Sequence, residues 1–86
     1  MIQPASQPCA LNEAALDASY TITQVTAPAE APEWGRWLAE IGFLPGERVS
    51  VLARGPGGGP LMVRAGSSTF ALRQAEAQCV RVQANA

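Results

Sequence analysis

Residues 34 to 51 constrain the fold of this chain more than any other stretch. Four apolar residues recur at helical spacing in its first half: Trp34, Trp37, Leu38 and Ile41. This spacing predicts one apolar stripe on a short amphipathic helix, with Leu38 and Ile41 in its buried middle. The period then changes to alternation, because Arg48-Val49-Ser50-Val51 has the pattern of a half-buried strand.

A helix C-cap and a tight turn are predicted between the helix and the strand. Gly42 stands where a helix that ends in a left-handed residue needs glycine, which predicts a positive φ. Phe43 can then contact Leu38 across a Schellman cap. Pro45-Gly46 suits the two central positions of a type II turn, because proline sets the first φ and glycine supplies the positive second one. We therefore expect Gly42 and Gly46 to have structural roles.

The rest of the chain is rich in short strand patterns. Five strands are predicted, at Tyr20–Val25, Arg48–Arg54, Leu61–Ala65, Ser68–Leu72 and Val80–Val82. The run 55–60 favours no regular structure and predicts a flexible loop. Before the first strand, 11–16 predicts one helical turn with Asn12 as N-cap and with Ala15 and Leu16 toward the core. Five short strands, with one short helix between the first and second, predict a mainly β fold: a small, partly open β-barrel.

The composition is typical of one folded domain. The 86 residues are 48% hydrophobic and 15% charged, which favours a globular chain with a single small core. We place the domain at residues 11–83, between a flexible tail at 1–10 and a frayed end at 84–86. The net charge of -1 argues against nucleic-acid binding, which normally needs a basic face.

The ends of the sequence carry no targeting pattern. Residues 1–6 have neither a basic region nor an apolar core, so we expect no signal peptide. No apolar run reaches the roughly 18 residues that a membrane-spanning helix needs, so we expect no membrane insertion. The chain is therefore expected to be cytoplasmic, with Cys9 and Cys79 as free thiols.

The chemistry of catalysis is missing from the pattern. The chain has no histidine and no lysine, so a nucleophile lacks a neighbouring base, and we predict neither enzymatic activity nor a cofactor. The glycines of 55–60 are not followed by the lysine and hydroxyl residue of a phosphate-binding loop. No metal-ligand spacing is recognisable, so no metal site is assigned, and a divalent ion at Glu76 and Cys79 is left open.

The aromatic residues of the helix have two interpretations. A small barrel needs large side chains in its core, and most of the area of Trp34, Trp37 and Phe43 is expected there. Two tryptophans on one short helix nevertheless exceed what one end of such a barrel covers. Trp34, the nearest to the helix start, is the expected partly exposed contact residue.

Three segments resemble the FeoA family, the small accessory proteins of bacterial ferrous iron uptake. The run 38–46, Leu-Ala-Glu-Ile-Gly-Phe-Leu-Pro-Gly, is similar to the family's helix-to-turn signature. The loop 55–60 stands where the family has a segment like Ala-Pro-Leu-Gly-Asp-Pro, and this chain has Gly57 and Gly59 in place of the leucine and aspartate. Trp37 stands at a position that is often basic in relatives. The C-terminal pattern consists of Ala71-Leu72-Arg73, Ala77 and Val80-Arg81-Val82.

The resemblance covers about residues 11–82 and implies a function. It implies an SH3-like barrel and a partnership with FeoB, a membrane transporter with a cytosolic GTP-binding domain. On that basis we expect an adaptor that docks on the transporter, and we expect these residues to contribute: Trp34, Arg36, Leu44 and Pro45. The alternative is a metal-responsive module, because similar domains form the C-terminal part of some iron-dependent repressors.

Overall fold

The computed structural model describes residues 8–85 and consists mainly of β-strands. The six strands are β1 (Cys9–Ala10), β2 (Tyr20–Val25), β3 (Arg48–Arg54), β4 (Leu61–Ala65), β5 (Ser68–Leu72) and β6 (Val80–Ala84). The two α-helices are α1 (Glu33–Glu40) and α2 (Gln74–Gln78), and single 3₁₀ turns occupy Leu11–Glu13 and Pro56–Gly58.

All the strands belong to one antiparallel sheet in the order β1-β6-β2-β3-β4-β5. The register shifts within the β2–β6 pair and within the β3–β4 pair, and such irregularities bend strands and increase their twist. Strands β1 and β5 are the two ends of the sheet order, so the barrel is partly open. The predicted mainly β, partly open architecture is confirmed.

The inner face of the sheet encloses an apolar core. Alternating residues of the strands point inward, as the two-residue period of a strand requires. The largest fully buried side chains are Phe43, Leu11, Ile22, Leu38, Leu61, Leu72, Val49, Val51, Val63, Val80 and Val82. No polar or charged residue is buried among the described residues. Burial of aliphatic side chains is thus the main stabilising term of this fold.

The structure has one strand more than the five predicted. β1 has only two residues, which is too short for an alternating pattern to be recognised in the sequence. It pairs with β6, where Cys9 lies opposite Val82 and Ala10 opposite Arg81. Because β1 comes first, the first two predicted strands are β2 and β3 of the structure. The helix predicted between them is α1.

The turn before β2 differs from the prediction. It is a 3₁₀ turn that starts at Leu11, and no side chain caps it, so the assignment of Asn12 as N-cap was wrong. Residues three apart lie on the same side of a 3₁₀ turn, and Leu11 and Ala14 are the buried pair. Ala15 is exposed, and 46% of the Leu16 side chain is exposed, so neither enters the core as predicted.

The ends of the ordered domain extend slightly beyond the predicted boundaries. Cys9 and Ala10 belong to β1, although the tail was predicted to continue to residue 10. At the other end, β6 includes Ala84, and the backbone N–H of Asn85 donates to the carbonyl oxygen of Ser19 at 3.0 Å. The other parts of the predicted tails, residues 1–7 and 86, lie outside the described residues.

Candidate partner-binding surface

Helix α1 lies against the core with one side only. Glu33 occupies its first turn, where a carboxylate interacts favourably with the positive end of the helix dipole. Leu38 is fully buried, while Trp34 and Ile41 are partly buried and pack against the same core. Three of the four residues of the predicted apolar stripe therefore attach α1 to the barrel.

The C-terminus of α1 is a complete Schellman motif. Gly42 has φ 110°, so the predicted positive φ is confirmed. The N–H of Phe43 donates to the carbonyl oxygen of Leu38 at 2.9 Å, and the N–H of Gly42 donates to that of Ala39 at 3.1 Å. These are the two bonds that define the motif. Phe43 and Leu38 are both fully buried, so the cap is also a piece of the core.

The turn that follows is attached to β2. The N–H of Glu47 donates to the carbonyl oxygen of Leu44 at 3.0 Å, and Gly46 has φ 93°, as a type II turn requires. Two backbone hydrogen bonds then join the turn to Ile22. The N–H of Gly46 donates to the carbonyl oxygen of Ile22 at 2.8 Å, and the N–H of Ile22 donates to the carbonyl oxygen of Glu47 at 2.9 Å. This support holds Leu44, 44% exposed, and the neighbouring Pro45 at the surface.

The structure brings together only some of the residues predicted to bind a partner. Leu44 and Pro45 are adjacent and exposed. Trp34 and Arg36 are two residues apart on α1, and at about 100° per residue their side chains leave the helix on nearly opposite sides. Trp34 is partly buried, whereas Arg36 is exposed. One flat patch of all four residues is therefore not formed.

Trp37 is the more exposed of the two tryptophans. It is 38% exposed, whereas Trp34, which was predicted to be partly exposed, is partly buried and packs against the core. Trp37 precedes the fully buried Leu38 by one position, which places it about 100° around the helix, at the border of the buried stripe. That border position is the sequence signal from which the exposure of Trp37 could have been predicted.

A groove next to Trp34 was not predicted. It has a volume of about 530 Å³ and is open to solvent. Its walls come from the loop before α1, from the first turn of α1 and from α2: Thr26, Ala27, Pro28, Glu30, Ala31, Trp34, Ala75, Gln78 and Cys79. The N–H of Thr26 donates to the carbonyl oxygen of Cys79 at 2.8 Å and joins the two walls. Because these segments are about half the chain apart, no local pattern indicates the groove.

Comparison with known proteins identifies the family of this chain. The sequence-family model described as the FeoA domain matches residues 9–84, nearly the whole chain. The chain belongs to the FeoA family.

Solved structures of FeoA proteins have the same fold. FeoA of Stenotrophomonas maltophilia, described as an SH3-domain protein and crystallised with zinc, is 39% identical, with a TM-score of 0.79. The match covers 87% of this chain and 89% of that one. FeoA of Chlorobium tepidum is 26% identical over 91% of this chain and 71% of that one, with a TM-score of 0.77. The SH3-like barrel implied by the resemblance is thereby confirmed.

The fold also occurs in a larger regulatory protein. A manganese-dependent transcriptional repressor is 26% identical, and the match covers 95% of this chain and 44% of that one, with a TM-score of 0.78.

A comparison with curated protein sequences finds no match. None of the helices between residues 8 and 85 has the length and apolar content needed to cross a membrane.

Glu76 and Cys79, the pair left open as an ion site, have other contacts in this FeoA-family chain. The carboxylate of Glu76 accepts a hydrogen bond from the N–H of Arg73 at 2.8 Å, at the start of α2. The thiol of Cys79 is buried and donates to the carbonyl oxygen of Ala75 at 3.5 Å. Burial and then the nearby Glu76 raise the pKa of the Cys79 thiol, which disfavours the thiolate that a metal needs.

Proposed function

We propose that this protein is a non-enzymatic, cytoplasmic accessory protein of ferrous iron uptake, which docks on the cytosolic portion of a FeoB-type transporter and promotes its activity. Membership of the FeoA family across residues 9–84 carries this proposal. It is supported by the S. maltophilia relative, for which a role as an activating factor of bacterial ferrous iron transport has been suggested. At 39% identity over most of both chains, a shared role is a reasonable expectation.

The docking surface extends around two sides of α1 and onto the turn that follows it, because Trp34 and Arg36 leave the helix on nearly opposite sides. Trp34 borders the groove and supplies an aromatic side chain for an apolar anchor of the partner. Leu44 and Pro45 stand on a turn that backbone hydrogen bonds hold in place, so little conformational entropy is lost when they are covered. Arg36, exposed on the outer side of α1, adds attraction to acidic groups of the partner.

Leu44 and Leu16 provide a matched pair of variants for testing this surface. The two leucines are 44% and 46% exposed, so truncation of either removes a similar apolar area. Leu16 lies before β2 and forms a bridge to Val51 in β3, which is not part of the turn that follows α1. Binding to the purified cytosolic region of the transporter is measured by calorimetry. We expect Leu44→Ala to weaken binding and Leu16→Ala to leave it unchanged.

The largest loss is expected for Trp34. Truncation of an aromatic anchor typically costs about 2 kcal/mol or more, roughly thirtyfold in affinity. Arg36→Ala and Pro45→Ala should cost less, because both residues lie at the rim of the contact. Circular dichroism and thermal melting confirm that each variant is folded, which matters for the partly buried Trp34. Unchanged affinity for all four variants at Trp34, Arg36, Leu44 and Pro45 would place the docking site elsewhere.

The likeness to the manganese-dependent repressor favours a second candidate, a metal-responsive regulatory module. Calorimetric titration with ferrous and manganous ions under anaerobic conditions separates the two functions. We expect weak binding, because among residues 8–85 no three acidic, thiol or imidazole side chains are grouped closely enough to hold an ion. A sub-micromolar one-to-one site would favour the regulatory module.

A further inference from the structure

The charges of this nearly neutral protein are segregated by secondary structure. Four of the six arginines lie on strands: Arg48, Arg54, Arg64 and Arg81. All seven acidic residues lie in helices, turns or loops: Glu13, Asp17, Glu30, Glu33, Glu40, Glu47 and Glu76. The strands therefore carry positive charge only, although the whole chain has a net charge of -1.

Two of these arginines border a groove on the outer face of the sheet. The groove has a volume of about 240 Å³ and is lined by Arg48, Val49, Ser50, Arg64 and Gly66. Ser50 and Arg64 are direct cross-strand partners, and Arg48 precedes Ser50 by two residues on the same side of β3. Arg48 and Arg64 are thus diagonal neighbours, a relation in which the residues are on the order of 7–8 Å apart.

The guanidinium groups of Arg48 and Arg64 have no partner within residues 8–85. No hydrogen bond or ion pair from either group is present there. Their cross-strand neighbours are hydroxyl residues, since Arg48 pairs with Thr21, and Arg64 pairs with Ser50 and Thr69. By contrast, the guanidinium of Arg54 donates to the carbonyl oxygens of Asn12 and Ala14. The two unpaired positive charges repel each other at this distance. An anion bound between them is attracted to both guanidinium groups and offsets this repulsion.

We propose that this Arg48–Arg64 groove binds an acidic, extended segment of another protein through its carboxylate side chains. In an extended chain, side chains two positions apart point to the same side and are about 6.6–6.8 Å apart. That spacing matches the diagonal separation of the two arginines, so a segment with acidic residues at alternate positions can offer one carboxylate to each. The hydroxyl of Ser50, between them on β3, is a further donor to such a carboxylate.

A protein segment fits this groove better than a nucleic acid does. A specific nucleic-acid interface buries at least about 600 Å² of protein surface and contacts many phosphates. Here the basic groove is small, and the helices, turns and loops of the chain carry seven carboxylates, which repel a long polyanion. A short acidic segment covers only the groove, so it meets fewer of those carboxylates than a long polyanion does.

The groove is separate from the surface of α1. Val49 and Val63 point into the core that Leu38 of α1 also enters, and successive side chains of a strand alternate between its two faces. Arg48, Ser50 and Arg64 therefore point away from that core. The inference does not depend on the docking of a transporter at α1, and each surface can be tested without the other.

The test uses a short fluorescein-labelled peptide with glutamate at alternate positions, and a control peptide with glutamine at the same positions. Binding to the full chain is measured by fluorescence anisotropy at about 0.01 M ionic strength, where the Debye length is about 30 Å. We expect the glutamate peptide to bind and the glutamine peptide not to bind. Affinity should fall at about 0.1 M ionic strength, where the Debye length is about 10 Å.

Arg48→Gln and Arg64→Gln should each weaken binding of the glutamate peptide about two- to fivefold, the range of exposed ion pairs. Arg81→Gln is the matched control, because it removes the same charge from an exposed position on β6 that does not line the groove. All three variants should melt like wild type, since the two groove arginines have no partner to lose.

Three results would overturn the proposal. The first is equal binding of the glutamine peptide, and the second is a loss in Arg81→Gln as large as in the groove variants. The third is wild-type affinity in the double variant of Arg48 and Arg64. A labelled oligonucleotide and inorganic phosphate are included as competitors. If the oligonucleotide binds more tightly than the glutamate peptide, the groove recognises phosphate groups and not an acidic protein segment.

Discussion

Two segments of this protein are built from the same turn-forming residues and behave as opposites. Residues 42–47 and 55–60 are both rich in glycine and proline, and both contain glycines with positive φ. The first segment is bonded to α1 and to β2 through its backbone. The second is closed mainly by its own bonds, from the N–H of Gly55 to the carbonyl oxygen of Pro60 at 2.8 Å and from Gly59 to Pro56 at 3.1 Å.

The difference lies in a core side chain that only the first segment carries. Phe43 is fully buried and meets Phe70 edge to face, with ring centroids 5.5 Å apart. No residue of 55–60 is buried, and one side-chain bond, from Gln74 to the carbonyl oxygen of Gly59, connects that loop to α2. Turn-forming residues therefore make a rigid support where they carry a core side chain, and a peripheral loop where they do not.

The largest expected effect tests the buried member of the first segment. Phe43→Ala should lower the free energy of unfolding by about 3–5 kcal/mol, because it removes a core ring and leaves a cavity. Pro56→Ala in the exposed loop should change it by no more than about 0.5 kcal/mol. Urea unfolding followed by tryptophan fluorescence measures both. Similar losses at the two positions would remove the distinction between support and loop.

A smaller effect is expected from backbone strain alone. Gly42 has φ 110° and Gly57 has φ 63°, and a Cβ built at either position meets no atom within 4 Å. The φ of Gly57 lies in the left-handed region that other residues can enter, whereas that of Gly42 lies outside it. Gly42→Ala should therefore cost about 1 kcal/mol, and Gly42→Val should cost more.

Gly57→Val is the control for this prediction. The loop around Gly57 is attached by few bonds and can relax, so we expect a smaller loss there than for Gly42→Val. The melting temperatures of the two valine variants decide the order. A Gly42→Val protein that melts like wild type would contradict the importance of the Schellman cap, whatever the result at Gly57.

The elements that the sequence predicted well are those with local causes. The cap at Gly42 and the turn at Pro45-Gly46 follow from residues within a few positions of each other, and both were found as predicted. β1 could not be predicted, because two residues carry no period and Cys9 is ordered by its pairing with Val82. The buried residues of the 11–14 turn were not predicted correctly, because the turn starts at Leu11 and a shift of one residue in its start changes which side chains face the core.

The candidate sites were less predictable than the fold for a related reason. The groove beside Trp34 combines that residue with Cys79, and the second groove combines Arg48 with Arg64. Neither combination is local in sequence, and both depend on how the strands are ordered in the sheet. The exposure of Trp37 could be inferred from its border position on α1, but the groove walls could not.

The smallest expected effect concerns the length of the loop. Insertion of two glycines between Gly57 and Gly58 lengthens the six-residue segment 55–60, and the entropy of closing a longer loop grows only with the logarithm of its length. We expect a loss of a few tenths of a kcal/mol, since each doubling of a flexible loop costs only about 0.6 kcal/mol. The same insertion between Pro45 and Gly46 is the matched control. It separates Leu44 from Glu47, whose N–H donates to the Leu44 carbonyl, and disturbs both backbone bonds to Ile22.

Each disrupted backbone bond contributes about 0.5–1.5 kcal/mol, so the insertion at the turn should cost several times more than the one in the loop. Thermal melting of the two insertion variants gives the comparison directly, because composition and added length are identical. Equal and small losses would mean that the 42–47 segment is held by the burial of Phe43 alone, and that its bonds to β2 re-form around the inserted residues. Equal and large losses would mean that the 55–60 loop is a second structural support. Only unequal losses, with the larger one at the turn, agree with the hydrogen bonding of the two segments.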